Sequence, residues 1–449
     1  MQKSKIILAS LTAALMLFCA PACNNDNDID PKQPTGGTDE PFKKQDADAI
    51  EKMKIAGKVA PEYLIPTADY DDFVAKVNQF STKTSLMIGC SDKGNTVVSP
   101  LSIFMALGMA TECADNNTRE ELLNALGVTY DELIGNIKYL CYTCNQILSQ
   151  DEKSKACNLV KCVNSLWLNP NADTKEKGLE QLTNHYFTDI FKLDGNYDIN
   201  KVITSYIKNE TNGFLSPELQ LSNNAAMVLM NVVYLKEIWE EFGGELSLTD
   251  KKYDFHNYDG SSLSTPLLQG FYYDGKAETT DSYRKFYTCT NSGYTLTFIV
   301  PNTGHSIEDV FTADVLNQKD SYIYEDEEFV YKTRCLFPEF TAGFDGDIKG
   351  IISQMGVNDF FNPGACDFSR LTDSEVYCSK IKHVAKLEAN RKGIEGAAVT
   401  AIEMVNSALP IENPKKEIFY DFVVDRNFVF TLKNRDGVTL FAGVVKNVE

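Results

Sequence analysis

Residues suited to catalysis are scarce in this chain. Its 449 residues include four histidines and two tryptophans. The short motifs of serine hydrolases (GxSxG), zinc proteases (HExxH) and phosphate-binding loops do not occur. Since no base stands near an identifiable nucleophile, the sequence offers no hydrolytic site. We expect a protein that is not an enzyme.

Positive charge is also in short supply. Lysine and arginine number 43 against 63 aspartates and glutamates, which gives a formal net charge of −20. An acidic surface of this kind argues against nucleic acid or an anionic membrane as a partner. No basic cluster points to a polyanionic activator, and we expect no cofactor.

Long apolar runs are rare, and the clear one lies at the N-terminus. Lys3 and Lys5 precede the apolar run Ile6–Ala20, after which small residues lead to Cys23. This is the pattern of an export signal. It resembles a bacterial lipoprotein signal, which implies that residues 1–22 are removed and that Cys23 carries the lipid. An ordinary secretory signal with a chance cysteine is the alternative.

Residues 23–60 are predicted to form a flexible acidic tether, because they are rich in Asp, Lys, Pro and Gly. The polar stretch 24–28 resembles the signal that brings some bacterial lipoproteins to the cell surface. The expected location is therefore the outer membrane, with the protein facing outwards. Membrane contact is expected only through the N-terminal lipid.

Ten of the twelve cysteines lie beyond the predicted signal and Cys23. Cys141-x-x-Cys144, followed by Cys157 and Cys162, resembles half of a zinc site. However, Cys141 and Cys144 have helical spacing, and a free cysteine behaves as a small buried hydrophobe. We expect buried thiols and no metal site, while the pairing of some cysteines stays open.

Helical patterns come early in the chain and strand patterns cluster late, which predicts the α+β class with large mixed sheets. Apolar spacing predicts helices over 68–88 and 100–114, the second opened by a Ser99 cap and Pro100. A capping box at Thr118–Glu121 predicts the start of a third helix. Short apolar runs predict strands at 163–167, 227–235, 295–300, 330–336, 419–424, 428–432 and 439–445.

The segment from Gly393 to Met404 has two different faces. Its even-numbered residues, beginning with Ile394 and Gly396, carry no charge, whereas Glu395 and Glu403 lie on the opposite parity. In a strand, alternate side chains face opposite sides, so this segment can present one neutral face for burial. Small residues and the prolines that follow are typical of an exposed loop. The pattern predicts a loop that can become a strand.

Further motifs run in order along the chain. They are Asn95-x-x-x-Ser99-Pro100-x-Ser102, Asn117-Thr118-Arg119-Glu120-Glu121-Leu122, Asn164-x-x-Trp167, Thr211-x-Gly213, Asn231-Val-Val-Tyr234-Leu235-Lys236-Glu-Ile-Trp239, Pro338-x-Phe340, Gly356 to Phe361, Ala365-Cys-Asp-Phe-Ser369 and Leu440-Phe-x-Gly443-Val-Val445. Each motif is weak alone. Together, from about residue 64 to the end, they resemble the serpin family of serine protease inhibitors.

This resemblance implies an architecture. The expected fold has three mixed β-sheets, about eight or nine helices and an exposed reactive-centre loop at about 391–418, all within a domain spanning 61–449. The family's hinge would be formed by Gly393, Ile394, Glu395, Gly396, Ala397, Ala398, Val399 and Thr400. Its shutter and breach regions would contain Asn95, Ser99, Pro100, Ser102, His383 and Trp239.

It also implies a suicide-substrate mechanism. A serine protease, or a cysteine protease, cleaves the loop, the loop inserts into the main sheet as a strand, and the acyl-enzyme is trapped as a covalent complex. The family's spacing from Gly393 places the cleaved bond at Ser407–Ala408, which suits an elastase-like or broad-specificity enzyme. Because the loop is unusually long, other bait residues stay open: Met404, Val405, Leu409 and Lys415. A monomer is expected.

Several residues depart from the family pattern. Arg391 replaces the hinge glutamate, Ile394 a small hydroxyl residue and Gly396 an alanine. Thr204 stands where the family has a shutter asparagine facing its histidine, here His383, which we interpret as a buried structural group. These departures favour the alternative, a non-inhibitory serpin fold used for binding at the cell surface. The neutral face of the loop favours the inhibitor.

Overall fold

The computed structural model describes most of the chain beyond the N-terminal region. The described residues are 11–21, 50–57, 63–89, 94–150, 157–222, 225–239, 245–319, 321–394 and 415–448. At 11–21, 146–150 and 157–158 the description covers the backbone alone.

Nine α-helices lie within these residues. They are α1 (Tyr70–Ile88), α2 (Pro100–Cys113), α3 (Asn116–Leu126), α4 (Tyr130–Thr143), α5 (Glu176–Tyr186), α6 (Ile199–Glu210), α7 (Ile307–Val310), α8 (Ala313–Asn317) and α9 (Lys349–Gln354). Residues 50–53 are also helical, and Asp359–Phe361 form a 3₁₀ turn. No helix in the described part is both long and apolar enough to cross a bilayer.

Three sheets hold the strands, as the family resemblance predicts. The large sheet has the order β14 (Phe340–Asp347), β15 (Val376–Ala389), β1 (Leu11–Pro21), β7 (Met227–Lys236), β5 (Cys157–Leu168), β6 (Asp189–Lys192) and β2 (Lys54–Ala56), with β4 (Gln146–Gln150) also paired to β5. The second has β10 (Glu278–Thr279), β11 (Tyr283–Cys289), β12 (Thr295–Pro301), β17 (Phe428–Lys433), β18 (Thr439–Val445) and β3 (Thr96–Val98). The third has β16 (Lys416–Val423), β13 (Phe329–Phe337), β9 (Ser262–Asp274) and β8 (Ser247–His256).

Helix α2 forms the centre of the core. All its residues are buried, and it packs against β7 of the large sheet and β18 of the second sheet. As predicted, Pro100 occupies its first turn, and the Ser99 hydroxyl accepts a hydrogen bond from the Ser102 N–H at 3.3 Å. The apolar composition of this helix suits a site enclosed on every side.

The capping box predicted at Thr118 is wrong. Helix α3 begins at Asn116, and Thr118 lies inside it. The Thr118 hydroxyl instead accepts the N–H of Asp367 at 3.0 Å, and Glu121 accepts the N–H of Asn358 at 2.7 Å. Both side chains are used to hold the segment after α9, which competes with local capping.

Two ordered segments lie inside the ranges predicted as signal and tether. Strand β1 lies within residues 1–22, and its pairing does not test removal of that segment during export, which stays a prediction. The end of the tether prediction is corrected: residues 50–56 belong to the folded body, since Ile50 and Met53 are buried and β2 pairs with β6. Burial of these apolar side chains opposes a flexible conformation there.

Eight cysteines form no disulfide bond within the part of the chain whose side chains the structure describes. They are Cys113, Cys141, Cys144, Cys162, Cys289, Cys335, Cys366 and Cys378. Burial raises the pKa of Cys141 and Cys144 well above the ordinary range. No group of three or more metal-ligating side chains forms within the described residues.

Candidate functional site

A strand-wide slot lies at the centre of the large sheet. Strand β1 fills it and pairs antiparallel with β7 on one side and β15 on the other. Both neighbours therefore run in the same direction. Residues Leu11–Cys19 pair with β7, and Thr12–Pro21 pair with β15. The slot thus accepts a strand of eleven residues.

The shutter lies at the midpoint of this slot. We use the name for Ser99, Ser102, Asn231 and His383. The Ser99 N–H donates to His383 Nε2 at 3.3 Å, and the Ser102 hydroxyl donates to the Asn231 carbonyl at 3.3 Å. His383 and Asn231 are fully buried and are the two residues paired with Leu15 of β1. Helix α2 thereby contacts both strands that border the slot.

His383 is buried, and its structural role stays a prediction. Its Nε2 accepts a backbone N–H, so this nitrogen carries no proton, and the ring packs beside Phe344 at 5.7 Å between centroids. Thr204 donates to the Pro217 carbonyl at 3.0 Å. This contact joins the middle of α6 to Pro217 in the segment that follows the helix.

Asn95 ties two sheets together. Its amide donates to the carbonyls of Thr341 and Asn447, both at 2.9 Å, and its carbonyl oxygen accepts the N–H of Lys446 at 2.8 Å. These contacts join the start of β3 to β14 and to the chain after β18. Asn95 therefore links the second sheet to β14, the edge strand of the large sheet.

The breach lies at the end of the slot where the loop begins. We use the name for residues 237–239, 290–292 and 390–394. Trp239 is buried, and its indole N–H donates to the Asn390 carbonyl at 2.7 Å. It also forms a β-bridge with Thr290 in the turn between β11 and β12. Three parts of the chain therefore meet here.

The hinge begins as a strand within the breach. Ile394 and Glu237 exchange both backbone hydrogen bonds, each at 2.8 Å, in an antiparallel bridge. The Ile394 side chain is fully buried in the main core. The replacement of a small residue by isoleucine, which the sequence suggested as an obstacle, is accommodated at this position.

Gly393 permits the close approach of the hinge. Its φ is +134°, which L side chains rarely adopt, and a Cβ atom there would lie 2.1 Å from the Glu237 carbonyl oxygen. Arg391, just before it, pairs with Glu245 at 3.5 Å, and its N–H donates to Glu339 at 2.9 Å. The turn that leads into the loop is therefore fixed by contacts with Glu237 and with the acidic residues Glu245 and Glu339.

Most of the predicted loop lies outside the described residues. The loop residues outside the description are Glu395, Gly396, Ala397, Ala398, Val399, Thr400 and the Ser407–Ala408 bond. The predicted lipidation residue Cys23, in the N-terminal region, also lies outside it. At the far end of the loop, Lys415 pairs with Glu325 at 3.1 Å and donates to the Asp326 carbonyl at 2.7 Å. The Lys415 ammonium is thus paired within this chain, and Lys415 stays one of the open bait residues.

One residue of the breach escaped the sequence reasoning. Glu237 lies within the motif from Asn231 to Trp239, at a position where the pattern of the resembled family has a glycine, and its side chain is fully buried. Its Oε2 accepts the Ser292 N–H at 3.3 Å, while Oε1 has no hydrogen-bond partner among the described residues. Burial raises the pKa of this carboxyl to about 7. A charged residue in place of a glycine was the available signal.

Comparison with known families decides the classification. The family model described as Serpin (serine protease inhibitor) matches residues 75–448. The chain belongs to the serpin family. A serpin-like protein of Methanosarcina acetivorans, itself uncharacterized, is 24% identical over 459 residues, covering 100% of this serpin and 99% of the archaeal protein. Neuroserpin of Mus musculus is 26% identical over 381 residues, covering 80% and 88%.

Solved structures show the same fold as this serpin. The thermophilic serpin tengpin in its native state matches with a TM-score of 0.66 at 20% identity, covering 89% of this serpin and 98% of tengpin. Thyroxine-binding globulin in complex with thyroxine gives a TM-score of 0.65 at 20% identity, covering 84% and 99%. At these identities the likeness establishes the fold.

Proposed function

We propose that this serpin is a suicide-substrate inhibitor of serine proteases. Most serpins inhibit proteases, although not all members do. The observation that carries the proposal is the alignment of the hinge with the slot: Ile394 is already paired with Glu237, at the end of the strand that borders the slot.

The pairing of β1 supports a definite register for the inserted loop. Since Leu11 pairs with Leu235, a residue opposite Glu237 lies two steps before Leu11 on the same strand line. Ile394 occupies that place. A loop that continued from it would bring Gly396 to the place of Leu11 and Thr400 to the place of Leu15. Thr400 would then lie between Asn231 and His383.

The side chains of the loop suit this register. In a strand, residues alternate between faces, so Ile394, Ala398 and Thr400 would share the face towards α2. Ala398 would replace Ala13, whose partners Val233 and Ala385 are both buried. A small neutral side chain enters this space without placing an unpaired charge in the core.

The slot must be vacant for the loop to enter. In the full chain β1 fills it, and β1 lies within the predicted export signal. Removal of residues 1–22 would empty the slot. We propose that the active form begins at Cys23 and that lipid on this residue holds it at the bacterial surface.

The proposed target is an elastase-like or broad-specificity protease. Cleavage is proposed at Ser407–Ala408, followed by insertion and a covalent complex. Cysteine proteases of similar preference are a further target class. Small residues at the bond favour enzymes with shallow specificity pockets.

The test is incubation of the chain from Cys23 with elastase, subtilisin, trypsin and papain. Denaturing gels should show a band at the summed masses of inhibitor and protease, and mass spectrometry should find a C-terminal peptide that begins at Ala408. Cleavage by all four enzymes without a covalent band would sink the proposal for these classes.

A non-inhibitory binding protein is the second candidate. The occupied slot favours it, because a full chain that kept β1 would have no place for the loop. This candidate predicts cleavage without trapping in both the full chain and the chain from Cys23.

A further inference from the structure

Glu237 places a buried ionisable group in the breach, beside the first residues of the loop. Its backbone makes the bridge to Ile394, and its side chain turns into the interior at the same residue. The backbone bridge to the hinge and the buried carboxyl therefore belong to the same residue.

Groups from two turns surround the carboxyl. The turn between β11 and β12 supplies Ser292 and Thr290. The turn between β17 and β18 supplies Arg435, whose Nε donates to the Ser292 carbonyl. Arg435 also acts on the carboxyl through its charge. Tyr294 on the β11–β12 side interacts electrostatically with Glu237.

On the hinge side, the nearest ionisable groups of the turn form their own contacts. Arg391 pairs with Glu245, and its N–H donates to Glu339. Both side chains of the Arg391–Glu245 pair are more than a third exposed, with 47% and 42% of their surface accessible. Water screens such a pair strongly, whereas Glu237 has no exposed surface.

We propose that Glu237 is a proton-controlled latch on the loop hinge: the neutral carboxyl keeps the breach closed over the Glu237–Ile394 bridge, and ionisation favours an open, hydrated breach. The inference rests on the proposed function and deepens it, because this bridge joins the start of the loop to the strand that borders the slot. It gives the inhibitor a dependence on the acidity of its surroundings.

The direction of the effect follows from the titration of the carboxyl. Burial raises its pKa from an ordinary value of 4.5 to about 7, while hydrogen bonds with Ser292 and Thr290 and the charge of Arg435 act in the opposite direction. In an open breach the carboxyl would titrate near its ordinary value. The closed breach is therefore most stable below about pH 4.5 and loses stability as the pH rises. Above about pH 7 the loss is complete.

Amide hydrogen exchange of the full chain, measured between pH 5 and 8, tests the latch. After correction for intrinsic exchange rates, opening at the amides of Glu237 and Ile394 should increase by up to about tenfold for each pH unit between pH 5 and 7. It should level off above pH 7. In Glu237→Gln, which keeps the shape and the acceptor for Ser292, opening should stay at the low level at every pH.

Glu245→Gln is the matched control, since it removes an exposed carboxylate beside the same turn. Its pH profile should follow that of the unmodified protein. Thermal unfolding at pH 5, where Glu237 is neutral, should be the same for Glu237→Gln and the parent and establishes that the variant folds. A pH profile that survives in Glu237→Gln, or a flat profile in the parent, overturns the latch.

The exchange experiment needs no protease. A protein that traps no enzyme can still show the pH-dependent opening, and one that traps its target can fail to show it. The two proposals therefore stand or fall separately.

Discussion

At the scale of single residues, the hinge depends on Gly393. Its φ of +134° and the absence of a Cβ let the Glu237 carbonyl approach the chain. The sequence marked this glycine and the neutral residue after it. It did not indicate that Ile394 is already paired and buried. Both features depend on Glu237 and on core residues that are distant from Ile394 in sequence.

We predict that Gly393→Ala breaks the bridge between Ile394 and Glu237. The added methyl would lie 2.1 Å from the Glu237 carbonyl oxygen, so the backbone must move. Amide exchange at Ile394 should increase by more than tenfold. Gly356→Ala is the control, since its φ of +102° is also unfavourable but nothing lies within 4 Å. Equal exchange at Ile394 in both variants would contradict this explanation.

At the scale of elements, the sequence predicted one of the two strands that border the slot and missed the other. β7 is apolar on both faces, and its prediction at 227–235 agrees with Met227–Lys236. β15 was missed because charged residues such as Lys380, Lys382 and Lys386 interrupt its apolar pattern. The exposed parts of these side chains lie on the sheet's outer face, and tertiary pairing overrides local preference.

We predict that strand insertion tolerates charge on one face of the loop only. Ala398→Glu would place a carboxylate between Val233 and Ala385, which costs several kcal/mol without a partner. The variant should be cleaved as a substrate and form no covalent complex. Ala397→Glu, one residue earlier, would face Tyr234 and the partly exposed Lys386, and should retain trapping.

Denaturing gels after incubation with the same protease compare these two variants. Cleavage rates serve as a control, because both substitutions lie well before the proposed Ser407–Ala408 bond. Loss of trapping in both variants, or in neither, would show that the register derived from β1 is wrong.

At the scale of the whole molecule, the state of the slot sets the heat stability. The chain from Cys23 should gain on the order of 10 °C or more in its unfolding temperature when the loop is cut, since several kcal/mol from a new central strand correspond to such a shift. The full chain should gain much less, because β1 already occupies the slot. Thermal unfolding followed by circular dichroism before and after limited proteolysis measures both.

An equal gain in the two chains would mean that β1 does not compete with the loop. The architecture itself was predictable from the order of the motifs. The occupation of the slot by the N-terminal run was not, because an apolar stretch with an export pattern carries no sign of a strand partner.

The position of the last strands has a consequence for the cut molecule. Three described strands follow the proposed bond: β16 belongs to the third sheet, and β17 and β18 belong to the second, where β17 lies between β12 and β18. If the chain is cut at that bond, we expect the two polypeptides to stay associated as a heterodimer through the packing of these sheets. Residues 23–407 and 408–449, made as separate chains, should recognise each other and assemble, so this serpin can be rebuilt from two genes.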